Sequence, residues 1–251
     1  MRSSRKWIVW TSILTLATAA APGTITATNL GSLSLPITEH TLKNGMRFLI
    51  VERRESPTFS GYLRFNVGSA NESPGQTGMA HLLEHMMFKG TTLFGTLDPE
   101  RELFILDKID ERHQALRVEK AKARSSAGKV DATTVAALDK EIAALEAEAK
   151  KFIVRNELWE VYRRNGAVRL NATTSREGTQ YFVNLPSNRL ELWALLESDR
   201  MRNPVFREFY TERDVAQEER RQRVDTNPRG QLMEAALATA FIILPYRHPI
   251  L

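Results

Sequence analysis

The sequence predicts an α+β fold, strands packed against helices, with a long helical hairpin set among them. Three observations carry this. Asn44-Gly45 sits between two strand-like runs, a hairpin turn signal. A second pair of strand-like runs, "AVRLNATTS" and "TQYFVNLP", lies more than 100 positions further on. Between the pairs, Val135, Leu138, Ile142, Leu145, Ala149 and Phe152 are spaced 3, 4, 3, 4 and 3, a heptad seam.

The elements read in order as follows. Residues 1–27 have the three-part pattern of an export signal: the basic start "MRSSRK", the uncharged run Trp7–Ala21, then small residues such as Ala17 and Ala19 that suit cleavage. The apolar run spans 15 residues, short of the roughly 20 that a membrane-crossing helix needs. The competing reading is an uncleaved anchor, the one route to a membrane that the sequence offers. Residues 22–36, rich in Thr, Ser, Gly and Pro, read as a linker. "TLKNGMRFLIVERR" reads as a hairpin and "TFSGYLRFNVGSAN" as a further strand, followed by the loop "ESPGQTG". Met79 to Lys89 reads as a helix that Gly90 ends.

The heptad seam has a counterpart upstream in Leu106, Ile109, His113 and Leu116. "SSAG", Ser125 to Gly128, separates the two runs as a turn, giving two antiparallel helices over about 100–155 with Lys, Glu, Asp and Arg on their outer faces. His113 falls on the seam, so packing accounts for it without a ligand role. After the second strand pair come two helices, "NRLELWALLESDRM" and "FYTERDVAQEERRQRV". The apolar stretch "LMEAALATAFIIL" and then "PYRHPIL" follow them.

Composition excludes several classes. Apolar residues are 42% of the 251, enough for a sizeable core. The net charge is +5, and basic residues stand beside acids along the chain, so they read as solvated surface and no nucleic-acid partner is expected. There is no cysteine, so burial or a metal must stabilise an exported fold.

The chemistry concentrates in "GMAHLLEHMMFKGT", residues 78–91. On a helix, His81 and His85 stand one turn apart on one face, and Glu84 shares that face. Two imidazoles so placed can hold one zinc ion, with the carboxylate near its water. The bland alternative is a helix with two surface histidines. Against it, Met79, Leu82, Leu83, Met86 and Met87 make the helix apolar nearly all round, so it should be buried, and buried polar groups need partners. A third ligand must be His, Asp or Glu. In "TERDVAQEERRQRV", Glu212, Val215, Ala216, Glu219 and Arg223 share one helical face, whereas Glu218 falls with Thr211, Asp214 and Arg221 on a polar one. Glu219 is thus the inward carboxylate, unless the segment is simply a charged surface helix.

"GSANESPGQTGMAHLLEHMMFKGT" closely resembles the metal-binding segment of the M16 (insulinase or pitrilysin type) zinc peptidases, in which the order of the usual His-Glu-x-x-His is reversed. "LNATTSREGTQYF" resembles that family's substrate-side strand, "ERDVAQEERR" its third-ligand helix and "PYRHPI" the segment that closes the region, all in the same order along the chain. The resemblance implies an antiparallel or mixed sheet packed against helices, one processing-peptidase-like half, spanning 37–251. It implies one zinc ion on His81, His85 and Glu219, with Glu84 as general base for an exported endopeptidase. Glu212 would support the metal site from behind, and Asn171 and Ala172 would lie on an edge strand that pairs with extended peptide.

Two departures stand out. His85 and Glu219 are 134 positions apart, more than the family usually shows, so the hairpin at 100–155 reads as an insertion. Family enzymes also continue into homologous domains that close over the substrate. The expectation is therefore a zinc-bearing part completed by a second M16-like domain or chain, acting on peptide or unfolded protein in the periplasm or outside the cell. The alternatives are a non-catalytic substrate-binding or scaffold subunit, an inactive fragment that needs a partner half, and a structural zinc protein in which His248 fills the fourth position.

Overall fold

The computed structural model describes residues 36–124 and 128–251. The expected export signal at 1–27 lies outside them, as does most of the "SSAG" turn. The chain divides into two compact units, one ending at Arg54 and the other running Glu55–Leu251. Among the described residues no helix is long and apolar enough to cross a membrane.

In the first unit, β1 (Ile37–Thr41) and β2 (Arg47–Val51) pair antiparallel, Ile37 opposite Val51. Asn44 Oδ1 accepts from Met46 N at 3.1 Å, and Gly45 takes φ +87°. This is the turn that Asn-Gly encodes.

The second unit is built on a three-stranded antiparallel sheet of order β3–β5–β4, from β3 (Thr58–Phe65), β4 (Val168–Thr174) and β5 (Thr179–Pro186). The central strand alternates strictly: Thr179, Tyr181, Val183 and Leu185 are buried, with half-buried residues between them. Val183 and Leu185 pack with Phe94, Leu158, Tyr162 and Leu196 as the main core. Leu158 and Tyr162 belong to α4 (Glu157–Arg164) and Leu196 to α5 (Leu190–Arg202). Helix α4 was not expected, although Leu158, Val161 and Tyr162 have helical spacing.

Helix α1 (Met79–Met86) is shorter than the Met79–Lys89 expected. Its last turn tightens: Phe88 N bonds His85 O and Lys89 N bonds Met86 O, three residues back instead of four. It is also not buried all round. Ala80, Leu82 and Met86 are buried, but the stripe of Met79 and Leu83 is 54% and 46% exposed. The fully buried Arg200 supports the end of this helix: it pairs with Glu197, lies over the rings of Phe88 and Tyr181, and donates to Met87 O at 3.4 Å.

The hairpin forms as two helices, α2 (Pro99–Ala121) and α3 (Ala132–Ala149), with Arg112 paired to Glu141 across them. Asp98 caps α2 through Arg101 N, and Asp131 caps α3 through Thr133 N. The two helices pack mainly on each other, and the hairpin is also anchored at one end. Its base is tied into the body. Ile105, Ile109 and Ala149 pack with Tyr210 of α6 (Phe209–Arg220), and His113 stacks on the same ring. Glu102 and Arg207 form a buried ion pair in which Arg207 Nε donates to both carboxylate oxygens, at 2.7 and 2.8 Å. Such a pair resists loss of either member, because the other charge is left stranded.

A graded effect follows. Replacing residues 115–143 by a short Gly-Ser turn should leave cooperative thermal unfolding and the metal site intact. Replacing 104–152 uncovers Tyr210 and should cost at least about 2 kcal/mol, as loss of buried apolar contacts does. Equal melting temperatures for the two deletions would show that the base of the hairpin does not support the body.

Candidate metal centre

Helix α1 presents His81 and Glu84, both buried, and His85, half-buried, toward α6. The start of α1 is held by Glu72, whose carboxylate accepts from Gly78 N at 2.8 Å and Ala80 N at 2.7 Å. These are free N-terminal donors of the helix, so a carboxylate suits them. Gly78 itself takes φ +88° and offers no side chain for this task.

Glu219, on α6, faces both imidazoles. His81 Nε2 is 3.7 Å from Glu219 Oε2, and His85 Nε2 is 3.8 Å from Glu219 Oε1. One ligand atom from each of the three residues lies within 4.8 Å of the others. Zinc bonds of about 2.0–2.2 Å set neighbouring donors about 3.3–3.6 Å apart around a tetrahedral centre, so small inward shifts suffice. Glu219 Oε2 is buried and accepts no hydrogen bond from the described residues, which a cation would remedy. The donor set therefore fits a zinc ion. Arg223 Nη2, 3.4 Å from Glu219 Oε2, lies in the π-helical turn Arg221–Asp225 that ends α6. That turn was expected to continue the α-helix.

Each imidazole is prepared differently. Burial, reinforced by neighbouring His85, lowers the His81 pKa to about 4, so the ring is neutral near pH 7 and its Nε2 lone pair is free. Glu212 Oε2 accepts from His85 Nδ1 at 3.3 Å, which leaves Nε2 of His85 for a metal. That hydrogen bond raises the His85 pKa and lowers Glu212 to about 2. Lys89 joins the same group, pairing with Glu212 and, at 3.2 Å, with Glu208. Burial raises the Glu84 pKa against the hydrogen bond that Thr174 donates to its Oε2.

Of the residues singled out from sequence, His81, Glu84, His85, Glu212 and Glu219 come together. Glu218 points away and pairs with Arg221. Asn171 and Ala172 lie on β4, an edge strand of the described sheet; Asn171 is exposed and Ala172 buried. His248 is not in the three-residue donor group, and its Nδ1 lies 3.3 Å from Ser69 O. Sequence reasoning missed Thr174, Lys89 and Glu72. Lys89 and Glu72 lie inside the segment 68–91 that carries the family resemblance, but nothing in local spacing says what they reach.

The insulinase (peptidase family M16) model matches residues 47–103 and 150–251. The zinc protease PqqE of Helicobacter pylori is 26% identical over 209 residues, covering 82% of this chain and 34% of that protein. A probable mitochondrial-processing peptidase subunit beta of Arabidopsis thaliana is 27% identical over 235 residues, covering 92% of this chain and 33% of that protein. Among solved structures, a protease from Helicobacter pylori superposes with a TM-score of 0.57 at 25% identity, over 85% of this chain and 38% of that one. The chain thus spans about a third of the length of each of these relatives.

Proposed function

The chain belongs to the insulinase (M16) peptidase family, and from that premise we propose that it is the zinc-bearing part of an exported endopeptidase. The observation that carries the reading is the convergence of His81, His85 and Glu219 on one point, with Glu84 beside them. These three side chains would hold the ion. When bound, zinc would serve as a Lewis acid toward a water and a peptide carbonyl. Glu84 then takes the proton of the attacking water and passes it to the leaving amine. Glu212 keeps the His85 ring oriented by holding Nδ1.

Extended peptide would add to the free edge of β4 at Asn171 and Ala172, where backbone groups outside the β5 ladder can pair with it. The hairpin of α2 and α3 is proposed as an insertion, supported by the break in the family match between residues 103 and 150. Export is proposed from the basic start and uncharged run of residues 1–27.

The short span relative to the relatives supports a second M16-like domain or chain that completes the site. The test compares residues 28–251 with the same part plus that second element, on an unfolded polypeptide. The completed enzyme should cleave, lose activity to a chelator and regain it with zinc. Residues 28–251 alone should cleave at least about 10²-fold more slowly, for want of the wall that orients substrate. Equal, zinc-dependent cleavage by both would show that the site is complete without a partner.

A further inference from the structure

The carboxylate assigned as general base is gripped from the sheet. Thr174, the last residue of β4, donates its hydroxyl proton to Glu84 Oε2. We propose that Thr174 is the positioning residue of Glu84, fixing which carboxylate oxygen faces the reacting water. The inference rests on the reading of Glu84 as general base.

The contact is built from both sides. On the sheet side, Thr174 pairs with Thr179 at the end of the β4–β5 ladder. The turn between them is locked: Ser175 N donates to Gly178 O at 2.8 Å, and Gly178 N donates to Ser175 Oγ at 3.1 Å. The segment 67–72 then clamps that turn. Ser69 N donates to Ser175 O at 3.2 Å, and Ala70 N donates to Arg176 O at 2.9 Å. Gly68 passes so close that a Cβ there would stand 2.2 Å from Ser175 O, a contact no side chain tolerates.

On the helix side, the same segment ends in Glu72, which holds Gly78 N and Ala80 N at the start of α1. One stretch of six residues therefore anchors the strand end that carries Thr174 and the helix start that leads to Glu84.

The direction of the hydrogen bond is also set. Thr179 Oγ1 lies 3.4 Å from Thr174 Oγ1 but gives its proton to Val67 O at 3.0 Å. The proton of Thr174 is thus free for the carboxylate, which has no proton to give when it acts as a base. Threonine is β-branched and stiff at χ1, so the strand backbone dictates where the hydroxyl points. With Oε2 held, Oε1 is the oxygen left to take a proton. A general base must lie within hydrogen-bond reach of that proton, and misplacement by about 1 Å can cost about 10²-fold.

The test uses the zinc-loaded, completed enzyme and a peptide substrate. Thr174→Val keeps the shape and removes the donor. It should lower kcat by about 10- to 100-fold with KM within about threefold, and leave zinc affinity and melting temperature near those of the parent. Thr174→Ser should recover kcat to within about fivefold. In a Glu84→Gln background, Thr174→Val should lower the residual rate no further, because the two act as a unit.

Full kcat in Thr174→Val, where Glu84→Gln is inactive, would overturn the inference while sparing the base assignment. A further loss in the Glu84→Gln background, or a tenfold loss of zinc affinity, would assign Thr174 a structural role instead. An undiminished rate in Glu84→Gln would overturn the base assignment and this inference with it. If the valine variant does not fold, Thr174→Ala carries the same comparison.

Discussion

Glu84→Gln in the completed, zinc-loaded enzyme is expected to retain the metal and lose turnover by on the order of 10² to 10⁴. Glutamine is nearly isosteric with glutamate, and its carbonyl can still accept the hydroxyl of Thr174. It cannot take a proton from water. The metal should remain, because His81, His85 and Glu219 form the donor group and Glu84 is not part of it. Burial pushes the Glu84 pKa up from its ordinary value. A base so shifted takes a proton more readily than an exposed glutamate would. A variant that holds zinc and cleaves peptide at the parental rate would remove Glu84 from that role.

Much of the fold and of the candidate centre could be read in the sequence, because the signals there are local and periodic. His81, Glu84 and His85 share a face by helical arithmetic alone. The stripe along α6 separates Glu219 from Glu218, and the two carboxylates do point to different sides: one toward the imidazoles, the other to Arg221. The heptad spacing marks both helices of the helical hairpin, and Asn44-Gly45 marks the turn between β1 and β2.

What was not legible depends on contacts between distant segments. Thr174 and Glu84 are 90 positions apart, and Arg207 and Glu102 are 105 apart. No spacing rule links such pairs; they meet because the sheet and α6 are packed against α1 and the hairpin base. The same cause explains the misjudged faces. Leu83 belongs to an apolar helix and Val215 to an apolar stripe, yet both are exposed, because α1 and α6 each pack along one side only. Helix α4 was a different kind of miss. Its signal, Leu158, Val161 and Tyr162, was present but short, and two turns of helix give periodicity little room to stand out.

The central claim is that His81, His85 and Glu219 hold one zinc ion, and the second large effect tests it. Glu219 supplies the only carboxylate of the donor group, and its Oε2 is buried without a hydrogen bond from the described residues. Glu218, one position earlier, is exposed and already paired with Arg221 and Gln222. The two substitutions therefore change the same functional group on the same turn of the same helix, and differ in which side it faces. A zinc titration of residues 28–251 against a competing chelator should give about one ion per chain. Glu219→Gln should weaken binding by on the order of 10²-fold or more, and Glu218→Gln by no more than about twofold. Equal weakening by both substitutions, or full-affinity binding in Glu219→Gln, would contradict the assignment of the centre.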